Sequence, residues 1–258
     1  MIAIVPAFKS EWIKKKGSLS VWLVFIGAVF TPVITLLIAI KNRDKLPVQY
    51  AAETFWKMYW NQCWQPMSFM LLPLGIVLAT SLLAQLEFKN NTWKQVHASP
   101  QTLTTIFFSK FAVQLTMLIQ LFLLFNLFVY LSAYVPPILF SEVPFPKTGV
   151  PWSELMQYNL KIFIGCMPIV ALQFLLSIQF KNFLVPVGTG IFLWLLSTLV
   201  LSWEYAYLLP YLYPAFDQLT SQGALVEETP DIHRLAIGYS IAFLTLAYIL
   251  YIRKADKG

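Results

Sequence analysis

Charge, histidine and cysteine are all scarce in this chain of 258 residues. Only 12% of the residues are Asp, Glu, Lys or Arg, about half the share found in ordinary globular domains. Hydrophobic residues make up 58%, and the mean hydropathy is +0.66. A soluble core could not hide that much apolar surface, so a soluble enzyme is excluded. The two histidines, His97 and His233, are predicted on opposite sides of a membrane, which argues against a shared zinc site or catalytic dyad. Cys63 falls in a predicted loop and Cys166 in an apolar run, so neither a disulfide framework nor a metal cluster follows. No glycine is followed by lysine, hence no P-loop. Gly188 and Gly190 begin a GxG, but Leu193 stands where a dinucleotide fingerprint needs its third glycine. No catalytic residue and no metal site are indicated.

What the chain does have is long apolar runs. Six of them cover residues 19–40, 66–86, 104–135, 160–179, 183–203 and 235–252, each near or above the ~20 residues that cross a bilayer. The expected fold is an all-α integral membrane protein with six transmembrane helices, forming a single domain over 1–258, without repeats or linkers. The first run is about 22 residues long and lacks a small-residue cleavage pattern after it, so it reads as a retained span. The last run is the shortest. The third is long enough to tilt or to stand proud of the membrane. Pro32, Pro73, Pro168 and Pro186 predict kinks, above all at Pro73-Leu74-Gly75.

With six crossings, charge sets the orientation. The side holding the N-terminal tail, the connection after the second run, the turn at Lys181 and the C-terminal tail carries eleven Lys and Arg against three carboxylates. The opposite side carries six basic against nine acidic residues. Positive charge gathers on the cytoplasmic side, so both termini are expected there. The basic balance then reflects topology and anionic lipid, and no nucleic-acid partner is implied.

Three polar stretches interrupt the runs. The opening, residues 1–18, sets Phe8 and Trp12 beside Lys14, Lys15 and Lys16, and reads as an interfacial helix on the cytoplasmic surface. Those lysines either form a structural elbow or only enforce orientation. The connection at 87–104 holds Glu87, Phe88, Asn91, Thr92, Trp93, Lys94 and Val96, with Thr92, Trp93 and Val96 able to share one helical face. Ser99-Pro100 reads as an N-cap and first-turn proline starting the third helix, with Lys110 reaching back to the headgroups. The segment 204–234 opens with tyrosines and prolines, too short and broken to span. It predicts external re-entrant or interfacial helices, although an aromatic belt explains the tyrosines equally well. Inside the runs, Gln114, Gln120, Asn126, Gln173 and Gln179 are polar without charge. They serve either interhelical hydrogen bonds or a substrate path.

The order of these features resembles the permease subunit of type-2 ATP-binding-cassette (ABC) exporters, particularly the small permeases of lantibiotic-immunity-type systems. The likeness rests on Glu11-Trp12-Ile13-Lys14 before the first span, on Glu87…Asn91-Thr92-Trp93-Lys94…Ser99-Pro100…Lys110 after the second, and on the segment before the last. In that family the connection after the second span is a coupling helix docked on a separate ATPase, and the segment before the last span dips into the membrane. The resemblance implies coupling roles for Glu87, Phe88, Asn91, Thr92, Trp93, Lys94, Val96 and Pro100. It implies a P-loop ABC ATPase dimer and a second copy or related permease as partners, with membrane lipids around them. ATP and magnesium would sit on the partner, and this chain would need no cofactor. Its place would be the prokaryotic plasma (inner) membrane, its cargo an amphipathic peptide, lipid or lipid-linked molecule. The competing readings are a lipid-modifying membrane enzyme and a non-transporting scaffold or assembly factor.

Overall fold

The computed structural model describes residues 4–15, 17–89, 101–221 and 231–255. Lys16, Asn91, Thr92, Trp93, Lys94, Val96, Pro100 and the rest of 90–100 lie outside the described residues. Among the described residues there is helix and no strand. Five helices are long and apolar enough to cross a membrane, and a sixth apolar helix is shorter.

The chain opens with α1 (Ile4–Lys14), in which Phe8 and Trp12, one turn apart, stack with ring centroids 5.7 Å from each other. Gly17 then adopts φ +77°, a left-handed conformation that glycine takes without a Cβ clash, and the chain turns into α2 (Leu19–Lys41). After the short α3 (Leu46–Ala51), the second span begins at α4 (Phe55–Pro66), well before the expected start at 66. Lys57, Asn61, Gln62 and Gln65 interrupt the apolar pattern there. The helix forms because the other face buries Trp56, Tyr59, Trp60, Cys63 and Trp64. Cys63 is therefore a buried helical residue and not a loop cysteine.

A π-helical turn, Met67–Leu71, links α4 to α5 (Leu72–Lys89) without a break. This is how the structure accommodates Pro73. Proline has no N–H to offer the carbonyl of Phe69, four residues earlier. That carbonyl instead accepts from the indole Nε1 of Trp194 at 2.9 Å.

The third span, α6 (Leu103–Leu139), has 37 residues and is about 55 Å long, against the ~30 Å of a hydrocarbon core. Its N-cap is Thr102, whose hydroxyl accepts from the Thr105 amide at 3.2 Å, so the helix does not start at Ser99-Pro100. A Cβ at Gly27 of α2 would lie 3.5 Å from Leu121 of α6. With that register, roughly ten residues of α6 run on past the start of α2. α1 lies against that extension.

The fourth span, α7 (Trp152–Gln179), starts eight residues before 160, and α8 (Leu184–Leu199) has only 16 residues instead of reaching 203. The last span, α10 (Ile232–Ala255), has 24 residues. The expectation that it would be the shortest is thus corrected: α8 is. Between α8 and α10, two 3-10 turns, Ala206–Leu208 and Pro210–Ala215, lead into α9 (Phe216–Ser221). Every residue of Pro210–Ala215 is buried. The turn packs so tightly on α7 that a Cβ at Gly165 would stand 2.8 Å from the backbone carbonyl carbon and oxygen of Tyr213.

The core runs through the middle of this bundle. Phe107 of α6 meets Phe174 of α7 and Tyr251 of α10, with centroids 5.2 and 5.5 Å away, while Trp64 of α4 meets Phe125 of α6 at 4.5 Å.

Candidate functional site

The end of the bundle that carries α1 collects Trp12, Lys14, Lys15, Phe88 and Lys110 among the described residues singled out by sequence. Glu11 is the centre of a clamp. It pairs with Lys14 at 2.6 Å, one turn along α1, and receives Lys110 of α6 with both carboxylate oxygens at 3.3 Å. Glu11 and Lys110 are both nearly buried, so each neutralises a charge that would be expensive to leave unpaired. Next to them, the Lys15 ammonium lies 3.0 Å from the centroid of the Trp12 ring and donates to Gln120 Oε1 at 3.2 Å. Burial pushes the Lys15 pKa down to about 8. The structure thus brings Trp12, Lys14, Lys15 and Lys110 into one assembly that ties α1 to α6.

The helices flanking the 90–100 connection both end in this region. Phe88, in the last turn of α5, has the Lys254 ammonium 5.8 Å from its ring. Lys254 also donates to the carbonyls of Ile178 and Gln179 at 3.0 Å each, satisfying groups that the C-terminus of α7 leaves without an amide. Thr104, in the first turn of α6, shares a 2.8 Å hydroxyl contact with Tyr248 of α10. The rods on either side of the connection are therefore braced by their neighbours. Glu87 lies on α5, two residues before its end.

The uncharged polar residues divide into used and unused. Asn126 donates to Asn159 at 2.9 Å, joining α6 to α7. Gln173 donates to the Tyr211 hydroxyl at 2.6 Å, holding the segment before the last span against α7. Both are contacts between elements. Gln114, in contrast, is 8% exposed and its Oε1 is buried without a hydrogen-bond partner. It lines an apolar crevice of about 70 Å³ between α2, α5 and α6. The Nε2 of Gln179 and the Oε1 of Gln173 are likewise buried and unbonded.

A polar seam at the far end was not read from sequence. Gln218 of α9 donates to Asn61 of α4 at 2.7 Å and accepts from Ser68 at 2.8 Å, while Lys161 of α7 pairs with Asp217 at 3.2 Å. These partners are up to 157 residues apart. The one available signal was the run of Asn61, Gln62 and Gln65, polar residues spaced along what proves to be a helix.

Among the described residues no cluster of three or more His, Cys, Asp or Glu is placed to hold a metal. The arrangement is that of a multi-pass helical membrane protein whose polar groups brace helices against one another. The description "ABC-2 family transporter protein" matches residues 7–197, from α1 through most of α8, and the chain belongs to that family. Proteins of this family are permease components of ABC transporters and generally pair with an ABC ATPase. The match is to the family as a whole and does not single out the lantibiotic-immunity group. No curated protein and no solved structure matches the chain significantly.

Proposed function

We propose that this chain is the permease subunit of an ATP-driven exporter, two permeases pairing with a dimer of P-loop ATPases that carry the ATP and magnesium. The observation that carries this reading is the family match across residues 7–197. The chain itself performs no chemistry. It offers two conformations whose balance the ATPase shifts.

In this reading the α1 end faces the cytoplasm of a prokaryotic cell, as the excess of Lys and Arg on that side supports. Residues 87–104 form the coupling segment, and 204–234 the external segment that dips into the bundle. ATP binding draws the two coupling segments together, and α5 and α6 carry the movement across the membrane as rods. Support for rod-like transmission comes from the Glu11 to Lys110 clamp at the base of α6 and from the Lys254 ammonium beside the Phe88 ring at the end of α5. The cargo is amphipathic: a peptide, a lipid or a lipid-linked molecule.

The test is assembly. The chain is expected to co-purify with a P-loop ATPase, and Trp93→Ala to weaken that association by about 2 kcal/mol, roughly thirtyfold, because a buried indole is a typical interface anchor. Glu87→Ala should weaken it less, since a rim charge contributes little. Wild-type assembly and wild-type transport-coupled ATP hydrolysis in a well-folded Trp93→Ala variant would reject the coupling role and favour a scaffold.

A further inference from the structure

At the end of the bundle opposite α1, a cavity of about 250 Å³ lies between the end of α2, α3 and the start of α4. That is many times the ~10–15 Å³ that admits one water molecule, so the cavity has room for a molecular group. The 23 residues of α2 measure about 35 Å and reach across the ~30 Å hydrocarbon core. Asn42 and Lys45, just past the end of α2, therefore stand at the level of the lipid head groups. The floor is buried and aromatic, with Phe55 between Tyr50 and Tyr59 at centroid separations of 4.2 and 5.6 Å.

What the cavity offers a ligand depends on which polar groups are already engaged. The Tyr50 hydroxyl donates to the Ala133 carbonyl and the Tyr59 hydroxyl to Ser132 Oγ, both at 2.9 Å on α6, so these residues give the cavity ring surface and spend their O–H elsewhere. Asn42 donates to the Ile38 carbonyl at 3.0 Å and keeps its Oδ1. Lys45, Gln49 and Gln62 line the cavity and have no hydrogen bond or ion pair among the described residues. The lining thus presents one ammonium and three amides, and among the described residues no carboxylate.

Charge around the mouth points the same way. The sequence predicts an acidic surplus on this side, yet four of its six basic residues, Lys41, Arg43, Lys45 and Lys57, fall within residues 41–57 beside only Asp44 and Glu53. Asp44 lies 3.9 Å from Arg43, and Lys57 is held by Glu154 at 2.7 Å. Lys41 and Lys45 remain, with Glu53 outside the lining. A ligand bearing its own ammonium would find no carboxylate on the cavity wall. Inward from the mouth, Ile34, Leu37 and Ile38 are exposed along α2 and Met58 on α4, an apolar flank that leads into the hydrocarbon.

We propose that this cavity binds the head group of an anionic phospholipid from the leaflet opposite α1. The phosphodiester sits beside Lys45, and hydroxyls of an uncharged head meet Asn42 Oδ1 and Gln49. The ester linkage reaches Gln62, seven residues and about 10 Å along α4 from Phe55, and the acyl chains leave over Ile38 and Met58. The site is independent of the exporter reading, since it requires only that the chain span a bilayer.

The experiment uses the full chain in phosphatidylcholine vesicles holding a trace of phospholipid with a diazirine close to its glycerol, either phosphatidylglycerol or phosphatidylethanolamine. Irradiation should label the peptides containing Ile38 and Met58 about tenfold more with phosphatidylglycerol, the scale of one charge-assisted hydrogen bond. Lys45→Glu should abolish that preference. Lys41→Glu makes the same change of charge outside the cavity and should leave most of it, because a hydrated surface charge is screened. Ala39→Phe, which fills the cavity, should stop labelling by phosphatidylglycerol with Lys45 intact. Lys45 is exposed, so Lys45→Glu tests the site even where Ala39→Phe fails to fold.

Equal losses from Lys41→Glu and Lys45→Glu would show a diffuse surface charge and overturn the site, as would labelling that survives Ala39→Phe in a folded variant. Equal labelling by the two lipids overturns it too, and so does labelling by neither, the result expected where a second copy of the chain covers the mouth. Displacement of the labelled lipid by millimolar glycerol phosphate would assign the cavity to a free phosphate ester and overturn the lipid as its occupant.

Discussion

At the residue scale the packing of α1 on α6 depends on a few charges placed where water is scarce. Lys15 is 5% exposed. Loss of hydration disfavours its ammonium and draws its pKa from the usual 10.5 to about 8. Between those values an undocked Lys15 keeps a proton that the docked one has shed. The undocked state thus binds more protons, and docking of α1 strengthens as pH rises from about 8 toward 10.5, with no further gain above. Hydrogen exchange of the Ile4–Lys14 amides, corrected for intrinsic rates, should show protection increasing across that window, and Lys15→Met should flatten the dependence. Unchanged protection in the wild type would mean that Lys15 stays hydrated. Gly17 contributes on the same scale: its φ of +77° is what lets α1 fold back against α6.

At the scale of elements, what matters is how closely backbones approach. Pro210–Ala215 lies against α7 at Gly165, the one residue type that leaves room for the Tyr213 carbonyl. Because the obstructing atoms are backbone and not the far end of a flexible side chain, Gly165→Ala must displace the whole segment. The expected loss is about 1 to 3 kcal/mol, typical of an overpacked core, read as a lower midpoint of thermal unfolding in detergent. A variant as stable as wild type would show that the segment is only loosely held. Trp194 illustrates the same economy of contacts. By donating to the Phe69 carbonyl it allows Pro73 within a span, where an unbonded carbonyl would otherwise face hydrocarbon.

At the scale of the whole molecule, the distribution of charge predicts the orientation, since eleven Lys and Arg on one side face an acidic majority on the other. Reporter fusions at either terminus, and at the 90–100 connection, should all report the cytoplasm. A terminus found outside would invert the bundle and remove the proposed coupling segment from reach of any ATPase. The elongated α6 gains significance in that frame: its extension beyond α2 is the surface on which α1 docks, beside the base of the connection that precedes it.

Local composition was sufficient to place the chain in a membrane, because a span is defined by about 20 consecutive apolar residues and needs no distant partner. Prolines likewise mark the segment before the last as too broken to cross, whereas composition left open whether the lysines before the first span pack or only set orientation. Element boundaries were decided elsewhere. Asn61, Gln62 and Gln65 read as a loop until Gln218, far along the chain, supplies a partner for Asn61 and the aromatic face of α4 finds α6. The cap of α6 is Thr102. The fate of the uncharged amides was equally invisible in sequence. Asn126 and Gln173 look like Gln114 in any local pattern, yet two meet a partner across a helix interface and the third faces an open crevice. Hydropathy is a property of neighbouring residues, whereas a hydrogen bond between helices needs two groups brought to about 3 Å, and only the packing of the whole bundle determines which groups those are.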